Sequence, residues 1–134
     1  MTVAVAHQVS SAAHIALEQA GREAALRQTK LAVIHVVESL DLDIAEANRA
    51  GLSDEVEKVL GAAGITGVEW ELHLATGKDN VAESVLTLAT EVKADILVIG
   101  ARRRSPVGKF LLGSVTQTII LDADIPVIVV KPAA

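Results

Sequence analysis

The residues from Gly100 to Ser114, GARRRSPVGKFLLGS, gather the side chains and backbone features that hold an anion. Gly100 lets the chain turn sharply. Gly113 and Ser114 open a helix whose first backbone N–H groups lack partners, and those groups together with the helix dipole attract phosphate. Arg102, Arg103 and Arg104 add guanidinium forks that match phosphate oxygens. The same residues also read as an exposed, Arg-rich surface loop with Ser114 as a helix cap, and the residues alone leave both readings open. Two other phosphate motifs are absent. A Walker A loop needs G-x-x-x-x-G-K-[ST]. Gly108-Lys109 is present, but Arg103 stands at the first glycine and Phe110 at the hydroxyl position. No G-x-G-x-x-G follows the first strand.

The remaining polar residues do not assemble into a catalytic set. His7, His14, His35 and His73 lack metal-ligand spacing, so no metal site is expected. His35 sits in a central strand and reads as a core or rim histidine. His7 falls in the loop after the first strand. Its plain reading is a solvated loop histidine; the sharper one is a hydrogen-bonding group sensitive to pH near neutrality. Ser105 and Ser114 are not in a G-x-S-x-G turn. Asp122 and Asp124 read as turn and solvent residues. With no complete constellation, the chain is not expected to be an enzyme.

Composition narrows the field further. The 134 residues fit one domain, 1–134. There is no cysteine, hence no disulfide and no thiolate ligand. The net charge of −5, with Trp70 and Phe110 the only aromatics, argues against a nucleic-acid partner. The N-terminal MTVAVAHQ lacks the form of a secretory signal, and no apolar stretch approaches the roughly 20 residues that span a bilayer. A cytoplasmic protein without a membrane partner is expected.

The elements that must position the loop follow from periodicity. Val3–Ala6, Leu31–Val37 (broken only by His35), Ile96–Ile99 and Pro126–Val130 are apolar runs. Between them lie helical stripes. Ser10 or Ser11 precedes Ala13, Ala16, Ala20 and Ala24. Ser53 precedes Val56, Val59, Leu60 and Ala63, with Gly64 just past the end. Asn80 and Glu83 form a capping box before Val85, Leu88 and Val92. A short helix starts near Ser114. The acidic stretch Ser39–Gly51 reads as a loop or an irregular helical excursion. Val68, Trp70, Leu72 and Leu74 alternate with Glu69, Glu71, His73 and Ala75, so this strand belongs at a sheet edge. The pattern predicts an α/β fold: a three-layer sandwich with a five-stranded parallel sheet in the order 3-2-1-4-5 and helices on both faces. Its ligand site would lie where the strand order reverses, between strands one and four. The last strand is then an apolar edge, which invites pairing. A homodimer through Pro126–Lys131 would cover it about a two-fold axis. Cover by the chain's own helices and tail is the alternative.

The run Ile99–Lys131, IGARRRSPVGKFLLGSVTQTIILDADIPVIVVK, resembles the C-terminal signature of universal stress proteins. The resemblance extends to VAV in the first strand, AVIHVVE in the second and TGKDNVAESVLTLATEVKADILVIG. It implies the same five-stranded sheet, a dimer through the last strand and, in one branch, an ATP site marked by G-x2-G-x9-G-[ST]. This chain reads Gly100-x2-Arg103-x9-Gly113-Ser114. By the resemblance, Ile99 and Gly100 form the strand end, Val36 lies near the base, and Gly113, Ser114 and Val115 start the phosphate-binding helix. Arg102 and Arg103 lie on the phosphate side. Two positions depart from the pattern: Arg103 replaces the middle glycine, and Ala6 stands where the family commonly has an Asp. The resemblance implies a stress-response regulatory module that binds an adenine nucleotide, ATP, with Mg2+ held through the phosphates. Two alternatives remain: a member that has lost the nucleotide and acts through its homodimer and protein contacts, or a slow ATP hydrolase.

Overall fold

Unbroken apolar strands need cover on both faces, and the arrangement of this chain supplies it. The computed structural model describes residues 1–7, 11–37, 42–77, 80–103, 110–111 and 113–131, with the side chains of 11–13, 42, 44–45, 102–103 and 110–111 excepted. In chain order the elements are β1 (Thr2–His7), α1 (Ser11–Arg27), β2 (Lys30–Val37), α2 (Leu42–Ala47), α3 (Arg49–Ala62), β3 (Trp70–Thr76), α4 (Val81–Glu91), β4 (Ile96–Gly100), β5 (Arg102–Arg103), β6 (Phe110–Leu111), α5 (Ser114–Asp122) and β7 (Val127–Val130). Five strands form one parallel sheet in the order β3-β2-β1-β4-β7, which is the expected 3-2-1-4-5.

Alternation along the strands divides the interior into two cores. Val3, Val5, Leu31, Val33 and Val98 face α1 and α3, where they meet Leu17, Ala20, Val56 and Leu60. Ala4, Ala32, Ile34, Leu97 and Ile99 face α4 and α5, where they meet Val85, Ala89 and Ile119. β3 is an edge strand, as its alternation predicts: Leu72 is buried and Glu71 is exposed. Trp70 lies at the amino end of β3, opposite Leu31, half-buried against the first core. β7 is the other edge. Ile128 and Val130 pack on the first core, Val127 and Val129 on the second.

Two helix ends match the sequence signals. Gly64, at φ +72°, follows the C-cap of α3 in the left-handed conformation that glycine favours. Asn80 accepts a hydrogen bond from the Glu83 N–H at 3.1 Å, a cap that contributes about 1 kcal/mol. The box closes between side chains, since Asn80 Nδ2 donates to Glu83 Oε2 at 2.7 Å.

Of the two readings of the acidic stretch, the helical excursion is the one found among its described residues, and α3 begins at Arg49, which places Ser53 inside the helix. Arg49 explains the break between α2 and α3. Its guanidinium donates to Glu46 at 2.8 Å and to the Leu72 carbonyl at 2.9 Å, pinning the joint to β3.

Candidate functional site

Parallel strands place all their carboxyl ends at one edge of the sheet, and crossovers leave β1 and β4 in opposite directions, opening a crevice between them. β1 ends in Ala6-His7, β2 in Val36-Val37 and β4 in Ile99-Gly100. Ala6, Val36 and Val115 pack partly buried on the α4/α5 side, in the core that contains Ile99. The structure thus brings these four expected residues to one side of the sheet. Ile99 is 2% exposed, so its side chain serves the core rather than a ligand. Ala6 presents only a methyl group, so no carboxylate stands at this strand end.

The described residues that follow β4 are paired. The Ala101 N–H donates to the Val130 carbonyl at 2.9 Å. The chain then forms a ribbon, with Arg102 opposite Leu111 and Arg103 opposite Phe110. This pairing satisfies backbone groups and brings the chain back to the start of α5. It places the backbone of Arg102 and Arg103 on β5. Arg104, Ser105, Gly108 and Lys109 lie outside the described residues.

At the start of α5 the sequence expectation is corrected in one detail. Gly113, not Ser114, is the N-cap, and it has no side chain to cap with. Its extended backbone (φ −67°, ψ 163°) lets its carbonyl accept the first helical bond, from Gln117 N–H at 3.0 Å. Ser114 is the first helical residue and is exposed. The first turn of α5 therefore offers backbone N–H groups without an intrahelical partner. Any residue can adopt the Gly113 dihedrals, and a Cβ there would meet nothing within 4 Å. Among the described residues, neither conformation nor packing requires this glycine.

Gly77, which sequence reading passed over, matters to the same site. Its N–H donates to the Val37 carbonyl at 3.0 Å. A Cβ there would lie 2.6 Å from Ser84 Oγ and 3.1 Å from Val36 Cγ1. The missing side chain lets α4 close onto the Val36 end of β2.

On the opposite face of the same strand ends lies a polar cluster. His7 is not a loop residue: it is the last residue of β1, in register with His35, and is 1% exposed. The period of two from Val3 and Val5 was the signal for its burial. His35 Nδ1 lies 3.1 Å from the His7 carbonyl and 3.3 Å from His7 Nδ1. Among the described residues, His7 Nε2 is buried without a hydrogen-bond partner, with Glu55 Oε1 of α3 at 3.9 Å. The same carboxylate oxygen bonds His14 Nε2 of α1. Burial pushes the His7 imidazole down to about 4; the Glu55 charge opposes this, while His35 and His14 add to it. Burial also lowers His35, against its bond to the His7 carbonyl and the Glu55 charge. His35 is thus a rim histidine, as expected. Among the described residues, no group of three His, Cys, Asp or Glu side chains is placed to hold a metal ion, and no helix is long and apolar enough to cross a membrane.

Comparison with known proteins gives concordant results. The universal stress protein family model matches residues 1–131. A universal stress protein of Mycolicibacterium smegmatis is 36% identical over 130 residues, covering 97% of each chain. The structure of the universal stress protein from Archaeoglobus fulgidus in complex with dAMP aligns with a TM-score of 0.75 at 32% identity, covering 98% of both chains. A universal stress protein in complex with cAMP aligns with a TM-score of 0.76 at 28% identity, over 99% of this chain and 98% of the other.

Proposed function

The chain belongs to the universal stress protein family, and on that premise we propose that it is a regulatory stress-response module that binds an adenine nucleotide between the ends of β1 and β4. The observation that carries this reading is Gly113. Among the described residues nothing lies within 4 Å of a Cβ at this glycine, which precedes the bare N-terminus of α5 on the side of the sheet where the strand order reverses. The dAMP and cAMP complexes of related proteins support the same ligand class. In this reading ATP is the ligand, with Mg2+ held through its phosphates. Ala6 and Val36 flank the base. The Gly113, Ser114 and Val115 backbone, with Arg102 and Arg103, meets the phosphates. The protein works in the cytoplasm by binding, without catalysis.

Titration with ATP and Mg2+ by calorimetry is expected to saturate in the micromolar to millimolar range. Gly113→Val combined with Ser114→Ala is expected to weaken binding at least tenfold, because the valine fills the space before the helix. No heat at millimolar ATP overturns the proposal. It would favour a second reading, for which Ala6 speaks: a member that lacks the ribose-side carboxylate and acts through protein contacts alone.

We also propose a homodimer through β7. The Pro126 carbonyl accepts from Leu97 of β4 and the Val130 carbonyl from Ala101 just after it, so alternation turns the N–H and C=O groups of Val127 and Val129 toward the outer edge. Among the described residues no strand pairs with that edge. Val129→Pro removes one outward donor and leaves the β4 ladder intact. Sedimentation is expected to show a dimer for the parent chain and a monomer for this variant. A monomeric parent chain excludes the dimer.

A further inference from the structure

We propose that His7, His35, Glu55 and His14 form a proton-operated latch that joins α1 to α3 beside the carboxyl ends of β1 and β2, and that a second proton on the His7–His35 pair opens it. Hydrogen-bond chemistry fixes the resting arrangement. The His7 carbonyl can only accept, so His35 Nδ1, 3.1 Å away, carries a hydrogen. The same Nδ1 faces His7 Nδ1 at 3.3 Å, and that nitrogen must therefore present its lone pair. The hydrogen of neutral His7 then sits on Nε2, directed to the side where Glu55 Oε1 lies at 3.9 Å. Glu55 is in turn held by His14. Four side chains from β1, β2, α3 and α1 thus lie in one series, broken at the buried Nε2 of His7, which among the described residues has no hydrogen-bond partner.

The two histidines respond differently to acid. A proton on His35 Nε2 leaves every contact in place and strengthens its donation to the His7 carbonyl. A proton on His7 Nδ1 consumes the lone pair that faces His35. Two N–H donors then oppose each other at 3.3 Å, between two positive rings, and the pair must separate. The new charge on His7 also draws Glu55 Oε1, 3.9 Å away, from His14, through which α3 is tied to α1. Among the described residues, His35, Glu55 and His14 are the titratable groups that face His7. Burial of His7 sets the opening in the acid range, near 4.

The latch lies behind Ala6 and Val36, on the other face of the same strands. Its coupling to a nucleotide rests on the site proposed above; the latch itself does not. The experiment therefore begins with the ligand-free chain. Amide hydrogen exchange, corrected for intrinsic rates, is followed from pH 7 to pH 3.5. Exchange in α3 is expected to rise at least tenfold as pH falls through about 4, while α4 and α5 change less. His7→Phe should abolish this step. Glu55→Gln keeps an amide oxygen to accept from His14 and should move the step to lower pH, since the carboxylate that favours charged His7 is gone. An α3 that stays protected to pH 3.5, or a step unchanged in Glu55→Gln, overturns the latch. ATP titrations at pH 7 and pH 4 then test the coupling. Absence of binding at both values counts against the nucleotide site and leaves the exchange result standing.

Discussion

Replacing Leu97 by alanine is expected to destabilise the protein by about 4 kcal/mol, in the upper part of the range for buried leucine. Leu97 is fully buried in β4, on the face packed against α4 and α5. Its neighbour across the ladder is Ala4, and beyond that Ala32. These alanines have no atoms to move into a cavity, so the space would persist. Urea unfolding followed by circular dichroism should show the midpoint falling steeply, and heating should show the transition dropping by about 10 °C or more. The same substitution at Leu121, which is 81% exposed, should change stability by less than about 0.5 kcal/mol. Equal effects at the two positions would mean that the second core is not where the structure places it.

The second large effect is acid destabilisation. The folded-state value of His7 lies at about 4, below the 6.5 of the free side chain. Below pH 6.5 the unfolded chain therefore takes up a proton that the folded chain refuses. The stability associated with neutral His7 is present above pH 6.5 and is lost as pH falls toward 4. The difference amounts to about 3 kcal/mol at 1.36 kcal/mol per pKa step. His35 is lowered as well and acts in the same direction. Unfolding free energies measured between pH 7 and pH 4 should decline accordingly, and His7→Phe should flatten most of the slope. A variant that keeps the full slope would place its origin elsewhere.

The sequence made the sheet legible because its strands are buried in different ways. Val3–Ala6 and Ile96–Ile99 read as unbroken runs because both faces are covered, while Glu69, Glu71 and His73 marked the edge. Asn80 and Gly64 announced helix ends through local geometry alone. Features that depend on distant partners were hidden. The break between α2 and α3 is held by Arg49 on the Leu72 carbonyl, 23 residues away, and nothing in the acidic stretch signals it. The ribbon of Arg102–Arg103 with Phe110–Leu111 is too short for any periodicity. His7 was misread as a loop residue because an apolar run interrupted by a polar side chain looks finished there. At the candidate site, resemblance supplied the positions of Ala6 and Val36, while Gly113 and Ser114 were legible from the residues themselves. The structure moved the cap from Ser114 to Gly113.

The placement of Trp70 has a practical consequence. It is the only tryptophan, and the chain contains no tyrosine. Near-ultraviolet emission therefore comes from one indole, seated at the amino end of β3 against the first core. The strand's seven residues put roughly 20 Å between that indole and the edge where the switch point opens. The protein thus carries an intrinsic fluorophore that reports closure of the core and stands apart from anything bound at the far edge. Its weak background absorbance also leaves the 260 nm band of an adenine ring easy to see on the purified chain.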